Sequence, residues 1–230
     1  MKILAVDTAT KSCSVAIVDK ETLLAEMTVV NEQTHSKHLL EMIRVVIKHS
    51  GVSISDLNGF AATRGPGSFT GLRIGIGYVK GLATAQEKQI AGVSTLEALA
   101  RQVSFFPYLI CSLIDARRDE VYFSRYRYRD GKLIKQDEEQ AVTPVDALNG
   151  ISEPCIFVGS GAVAYQKVIK DKLGKYAYFA QAYENTIRAS TVARLSMDKF
   201  ENDDTYDAET FVPNYIRKSD AQLKLQGKNP

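Results

Sequence analysis

The sequence has no tryptophan, only three cysteines and six prolines in 230 residues, and a formal net charge of just +2. The cysteines, Cys13, Cys111 and Cys155, are scattered and form no C-x-x-C pair, which argues against a disulfide framework or a zinc ribbon. The small net charge provides no general attraction to nucleic acid. No apolar stretch is long enough to cross a bilayer. We therefore expect a cytoplasmic protein with no membrane association.

The chain is otherwise of ordinary composition, with 45% hydrophobic and 24% charged residues, as in globular proteins that bury a core. Its apolar runs predict the order β-β-β-α-β-α over the first hundred residues, beginning with a three-stranded antiparallel meander. The same order recurs after residue 103, without residue-level repetition. We therefore predict an α/β fold built from two similar halves that face one another across a cleft.

The glycine-rich stretch from Arg64 to Ala85 is the strongest local feature. Gly65-Pro66-Gly67 predicts a strand-to-helix turn, with the helix beginning near Ser68 or Thr70. The turn lacks the lysine and the spacing of a Walker loop. A helix N-terminus nevertheless suits an anion, because its free amides and its dipole favour negative charge.

The glycines inside this predicted helix destabilise it. Gly71, Gly75, Gly77 and Gly81 together cost roughly 3–4 kcal/mol relative to alanine. Helical spacing predicts a core stripe and a second, small-residue face that would let another helix approach closely. The core stripe comprises Leu72, Ile76, Val79 and Ala83, and the second face includes Gly71, Gly75, Tyr78, Gly81, Leu82 and Ala85.

Equivalent positions in the two halves carry similar residues. Asp7 and Asp115 each end a predicted strand, and Gly65-Pro66-Gly67 and Gly159-Ser160-Gly161 each join a strand to a helix. Acidic residues at strand ends, together with glycine turns, can surround magnesium and phosphate. The alternative interpretation is that these glycines serve only sharp turns and close packing.

Four segments together resemble the bacterial TsaB (YeaZ) family. They read D-T-A-T-K-S-C-S-V-A-I at 7–17, G-P-G-S-F-T-G-L-R-I-G at 65–75, K-G-L-A at 80–83 and P-N-Y-I-R at 213–217. The resemblance covers most of the chain and is strongest in the first hundred residues. It implies the fold shared by actin, Hsp70 and the sugar kinases (the ASKHA fold). It also implies a part in making N6-threonylcarbamoyladenosine, at the adenosine next to the anticodon of tRNA.

The family resemblance further implies a scaffold without catalytic residues of its own. Its expected partners are the catalytic relative TsaD and, with it, the ATPase TsaE, while tRNA is met only through the complex. A homodimer is expected when the partner is absent. We expect the docking surface on the glycine-rich helix and its predicted neighbour, namely at Gly71, Ile74, Gly75, Tyr78, Gly81, Leu82 and Ala85 with Leu39 and Ile43.

The resemblance also divides the chain. We predict a first half at 1–102, joined by a C-terminal helix at 188–216, a second half at 103–187, and a mobile polar tail at 217–230. A weak or vestigial site for ATP or ADP with magnesium would lie between the halves, at Asp7, Gly65, Gly67, Ser68, Gly159 and Gly161. The first hairpin, Thr8-Ala9-Thr10, offers no glycine for close approach to phosphate.

The histidines and the alternating arginines are further candidate sites, and each also has a purely structural interpretation. His35 and His38 are three residues apart rather than the four that place two imidazoles on one ion, so we expect no metal site. Arg125, Arg127 and Arg129 alternate along a predicted strand, which suits either tRNA phosphates or a solvated strand surface. Two other functions stay open, a freestanding kinase or ATPase of the actin-like fold and a metallopeptidase.

Overall fold

The computed structural model describes residues 1–30, 35–103 and 107–217. Two sheets form its framework. The first comprises β1 (Lys2–Asp7), β2 (Ser12–Asp19), β3 (Thr22–Val30), β4 (Gly59–Gly65) and β5 (Ile90–Ser94), in the order β3-β2-β1-β4-β5. Strands β1 to β3 pair antiparallel, while β4 and β5 run parallel to β1. The predicted meander and element order of the first half are confirmed.

The second sheet repeats this plan. It comprises β6 (Leu109–Arg117), β7 (Glu120–Arg129), β8 (Lys132–Lys135), β10 (Cys155–Val158) and β11 (Ala177–Phe179), in the order β11-β10-β6-β7-β8. A further strand, β9 (Gln140–Val142), also pairs with β7. Strands β6 and β7 are antiparallel, whereas β10 and β11 are parallel to β6. The two sheets therefore share one strand order, but the helix predicted before β10 is wrong, because a 3-10 turn at Asp146–Leu148 stands there.

In the described part of the chain, six α-helices cover the two sheets. They are α1 (Leu39–Ser50), α2 (Phe69–Gln86), α3 (Thr95–Gln102), α4 (Ser160–Ala164), α5 (Gln166–Leu173) and α6 (Ala189–Glu201). Helices α3 and α6 contribute to a central apolar core with inward residues of both sheets, such as Ile3 and Ile110. Helices α1 and α2 close a second core on the outer face of the first sheet. Helices α4 and α5 do the same for the second sheet.

The predicted C-terminal helix at 188–216 is wrong in extent, because α6 ends at Glu201. The chain turns there through Asn202 and Asp203, whose φ of 56° is left-handed. Residues 206–217, which we call the C-terminal strap, then run along both halves without regular structure. The division at residue 102 stays a prediction, and residues 218–230 of the predicted mobile tail lie outside the described residues.

The strap bonds to each half in turn. Tyr206 exchanges two backbone hydrogen bonds with Ile90 of β5, and the Asn214 amide donates to the Arg64 carbonyl (2.6 Å). Arg217 then reaches the second half, where its guanidinium donates to Glu120 (2.5 Å) and to the Ala116 carbonyl (3.1 Å). The strap therefore links the two halves.

The start of α6 is held by residues of the first sheet. Glu26 of β3 accepts from the Ser190 amide and from Arg188 Nε, each at 2.9 Å. Ser14 of β2 accepts from the Ala189 amide at 2.9 Å. These oxygens satisfy backbone amides that a helix N-terminus leaves without partners, and the Glu26 charge favours the helix dipole.

We expect Glu26→Ala to lower the free energy of unfolding by about 1–2 kcal/mol, because the buried carboxylate is lost as the cap of α6. Chemical denaturation measures the change. Glu21→Ala is the matched control, since its ion pair with Arg194 is 4.0 Å long and its side chain is 91% exposed. Equal effects of the two substitutions would contradict this account of α6.

Candidate functional site

Asp7 ends β1 but does not face solvent. Its Oδ1 accepts from Thr63 Oγ1 (2.7 Å) and from the Ala9 amide (3.2 Å), and its Oδ2 has no hydrogen-bond partner in the part of the chain that the structure describes. Burial raises the pKa of Asp7 to about 7, against the opposing effect of these two hydrogen bonds. A carboxyl so enclosed is a poor ligand for magnesium.

The glycine turn of the first half packs against the first hairpin. The Ser68 amide donates to the Ala9 carbonyl (2.7 Å), and a Cβ on Gly67 would collide with that same oxygen. A Cβ on Gly65 would lie 2.5 Å from the Asn214 carbonyl of the strap. These glycines therefore permit close backbone packing within the chain, and the Ser68 amide, which a phosphate at this turn would need, already donates to the Ala9 carbonyl.

The turn of the second half is enclosed in a similar way. The Gly159 amide donates to Asn185 Oδ1 (2.7 Å), and a Cβ on Gly161 would lie about 3 Å from Leu113. Asp115 is exposed, where its Oδ1 accepts from the Arg117 amide (2.9 Å). The residues present do not fit a magnesium nucleotide at these turns, because Asp7 is sealed and the Ser68 and Gly159 amides already have acceptors.

The histidines near the start of α1 take part in local contacts. His35 lies in a 3-10 turn, and its Nε2 donates to the Thr10 carbonyl (2.8 Å), since a carbonyl can only accept. His38 directly precedes α1. Within residues 1–30, 35–103 and 107–217, no group of three or more histidine, cysteine, aspartate or glutamate side chains could hold a metal ion.

The alternating arginines of β7 are largely paired with acids. Arg125 lies 3.3 Å from Asp137, and Arg127 donates to Glu153 at 2.6 Å. Arg125 also donates to the Ala147 and Asn149 carbonyls. These contacts hold the loops that flank β7, so they favour the structural interpretation over a row of free cations for tRNA phosphates.

Helix α2 divides its glycines between two opposite roles. Gly71 and Gly75 are buried, and a Cβ on either would collide with Thr8, through its carbonyl oxygen at Gly71 and its Oγ1 at Gly75. Gly77 and Gly81 are exposed, and a Cβ on either would meet nothing within 4 Å. The close approach at the buried pair also lets Thr8 Oγ1 donate to the Gly71 carbonyl (2.8 Å).

The expected docking surface is therefore wrong at four positions. Gly71 and Gly75 face the first hairpin, because Thr8 and Ala9 need room beside α2. Leu39 and Ile43 of α1 are buried in the outer core of the first half. The expectation also omitted Gly77, which helical spacing places beside Gly81 on the exposed side. Glycine spacing alone could not assign these faces, since glycine shows no hydrophobic preference.

Five of the expected residues remain on the outward side of α2. Gly81 and Ala85 are exposed, while Ile74, Tyr78 and Leu82 are half-buried against α1 and the core. With Gly77, these residues form the surface that we call the outer α2 face.

Among the described residues, no helix combines the length and apolar character that crossing a bilayer requires.

Comparisons with known proteins agree on one family. The family model described as TsaD, tRNA N6-adenosine threonylcarbamoyltransferase, matches residues 23–225. The chain is similar to the tRNA threonylcarbamoyladenosine biosynthesis protein TsaB of Bacillus subtilis, with 31% identity over 97% of each chain. It is similar to that of Escherichia coli, with 33% identity over 99% of this chain and 100% of the relative.

A solved structure agrees with this similarity. YeaZ from Pseudomonas aeruginosa superimposes with a TM-score of 0.80 and 29% identity, over 93% of this chain and 99% of that one. Together with the repeated strand order of the two sheets, this confirms the predicted actin-like fold class.

The raised pKa of Asp7 predicts a pH dependence of stability. Between pH 4 and 7 the native state binds a proton at Asp7 that the unfolded chain has lost, so the free energy of unfolding falls as pH rises through this range. A shift from 3.8 to about 7 corresponds to ~4 kcal/mol at most. Asp7→Asn should remove this decline and leave the variant more stable than wild type at pH 8.

Thermal unfolding at pH 4 to 8 measures the difference between the two proteins, and Asp56→Asn, at an exposed position, is the control. If wild type and Asp7→Asn lose stability in parallel as pH rises, Asp7 is not the group responsible.

The two glycine pairs predict opposite effects of one substitution. Gly81→Ala should stabilise the isolated chain by up to about 1 kcal/mol, because alanine is the better helix former and its Cβ meets only solvent. Gly75→Ala should destabilise it by about 1–2 kcal/mol, because overpacking against Thr8 outweighs that gain. The Gly75→Ala penalty should shrink in a Thr8→Ala background, which a double-mutant cycle in urea measures. Independent, additive effects would contradict the contact.

Proposed function

This chain belongs to the TsaB (YeaZ) family, and on that premise we propose that it is a non-catalytic subunit of the complex that makes N6-threonylcarbamoyladenosine in tRNA. The near full-length similarity to two TsaB proteins carries the proposal. In that complex the catalytic relative TsaD transfers the threonylcarbamoyl group to the adenosine next to the anticodon. This chain docks TsaD and, with it, the ATPase TsaE.

The enclosed first hairpin supports a role without chemistry of its own. Asp7 is sealed between Thr63 and Ala9, and the adjacent turn is packed against the Ala9 carbonyl. An actin-like kinase needs these groups open to magnesium and phosphate. The freestanding kinase or ATPase is therefore the weaker alternative. Measuring ATP turnover by the purified chain decides between them, since turnover without any partner would contradict our proposal.

The outer α2 face is the proposed docking surface. Exposed glycines at Gly77 and Gly81 let a second helix approach the α2 backbone closely, and Ile74, Tyr78 and Leu82 supply apolar area around them. Close packing there would offset the helix propensity that the two glycines cost, about 0.8–1 kcal/mol each. We propose that the same face pairs two copies of this chain when TsaD is absent, and that tRNA is met only through the complex.

We expect Gly81→Arg to fold normally and to lose association with TsaD. The new side chain enters solvent in the free chain, but it would stand between the two helices of a close contact. Size-exclusion chromatography of each protein alone and mixed with TsaD measures association, and circular dichroism verifies folding. The tRNA modification reconstituted with TsaD and TsaE should fall at least tenfold.

Gln166→Arg is the matched control, because it adds the same side chain at an exposed position on α5 in the second half. It should associate like wild type. A folded Gly81→Arg protein that binds TsaD normally would place the docking surface elsewhere. A variant that stays dimeric alone yet fails to bind TsaD would contradict the shared use of this face.

A further inference from the structure

A cavity of about 580 Å³ lies where the two halves, α6 and the C-terminal strap meet. Its charged and hydroxyl lining comes from distant parts of the sequence. It comprises Arg64 at the end of β4, Ser94 and Glu97 at the start of α3, Lys135, Glu138 and Glu139 at and after the end of β8, and Lys199 on α6. The strap contributes Asn214 and Ile216. Gly65, the first residue of the first glycine turn, also lines the cavity, whereas none of the residues of the outer α2 face does.

Two of the carboxyl groups that line this cavity form no direct ion pair among the described residues. Glu139 accepts a hydrogen bond from Ser94 Oγ, and Glu97 has no ion pair or side-chain hydrogen bond among the described residues. Lys135 instead pairs with Glu138 at 3.0 Å, and Lys199 pairs with Asp204 at 2.6 Å. Burial raises the pKa of both Glu97 and Glu139, against the opposing effects of Lys199 and Lys135 at Glu97 and of Ser94 and Lys135 at Glu139. The charge of Glu97 also raises the pKa of Glu139.

A buried hydroxyl stands beside the same two acids. Tyr126 is 2% exposed, and its hydroxyl has no hydrogen-bond partner of acceptable geometry in the described part of the chain. Burial, followed by the charge of Glu139 and more weakly that of Glu97, raises the pKa of Tyr126 above its usual range. The hydroxyl groups of Ser124 and Ser94 act in the opposite direction and lower this pKa. The charges of Glu139 and Glu97 therefore act on a buried phenol that is not itself part of the cavity lining.

Arg64, in contrast to the two carboxyl groups, is a cation without an anionic partner in the part of the chain that the structure describes. Its guanidinium donates to Tyr206 Oη (2.5 Å) and lies 4.7 Å from the Tyr206 ring centroid and 5.9 Å from that of Phe211. Its Nε is buried and has no hydrogen-bond partner within the described residues. No carboxylate of those residues pairs with it. Aromatic rings hold this cation in place and leave it without an anion.

We propose that this cavity binds a small zwitterion, whose ammonium group lies between Glu97 and Glu139 and whose carboxylate meets Arg64. A free amino acid is the class of ligand that carries both charges within such a volume. Neither charge alone fits equally well, because a simple cation leaves Arg64 without an anion and a simple anion leaves Glu97 and Glu139 without an ion pair. Three carboxylates, Glu97, Glu138 and Glu139, face three lining cations, Arg64, Lys135 and Lys199, which makes a poor site for a divalent metal.

Thermal shift of the full chain with each of the twenty standard amino acids, followed by calorimetry on those that raise Tm, tests the proposal. Ethylamine and propionate carry the two charges on separate molecules. We expect at least one amino acid to raise Tm and to bind at least tenfold more tightly than either of them. We also expect proton release on binding, measured by calorimetry in buffers of different ionisation enthalpy, because the ammonium favours ionised Glu97 and Glu139.

Glu97→Gln should weaken binding at least tenfold, since it keeps the shape of the side chain and removes the charge. Glu201→Gln, at an exposed position on α6, is the control and should bind like wild type. No amino acid raising Tm, equal binding of ethylamine, or unchanged binding by Glu97→Gln would each overturn the proposal. The assay needs neither TsaD nor tRNA, so its result is independent of the docking experiment.

Discussion

The close approach of the first hairpin to the start of α2 is the constraint on which the first half depends. Gly67, Gly71 and Gly75 follow one another at intervals of four, and each would collide with Thr8 or Ala9 if it carried a Cβ. Because the hairpin continues directly from β1, this contact fixes the distance between α2 and the first sheet. It also seals Asp7 beneath the hairpin, which is why a carboxyl at a strand end becomes a buried, readily protonated group.

The element order and the α/β plan of two similar halves could be predicted from the sequence, because apolar periodicity and turn residues are local signals. The actin-like fold class was implied by the family resemblance. The two faces of α2 could not. Hydrophobicity locates Leu72 and Val79 in the core, but a glycine is equally acceptable against a neighbouring backbone and in open solvent. Only the position of Thr8 in space separates Gly75 from Gly81. The small residues of the hairpin, Thr8 and Ala9, were the available sign that something had to pack closely there.

For each candidate site, the partners that the fold places beside the side chain decide whether it is available. Asp7 is chemically suited to magnesium, and only its pairing with Thr63, 56 residues away, shows that it is enclosed. Arg125 and Arg127 are spaced for phosphates, and only Asp137 and Glu153 show that their charges are used within the chain. Sequence gives the kind of group at each position, whereas its availability depends on partners that the fold brings from elsewhere.

The C-terminal strap contacts both helix α2, which carries the proposed docking surface, and the cavity proposed to bind a zwitterion. Tyr215 stacks on Phe69 of α2 at 4.2 Å between ring centroids and accepts a hydrogen bond from Arg73 (3.0 Å). Its neighbours Asn214 and Ile216 line the cavity between the halves, and Arg217 fixes the strap to β7. A partner that moves the first turns of α2 would therefore move part of the cavity wall. Any such coupling is reciprocal, because an effect of docking on zwitterion affinity requires the same effect of the zwitterion on docking.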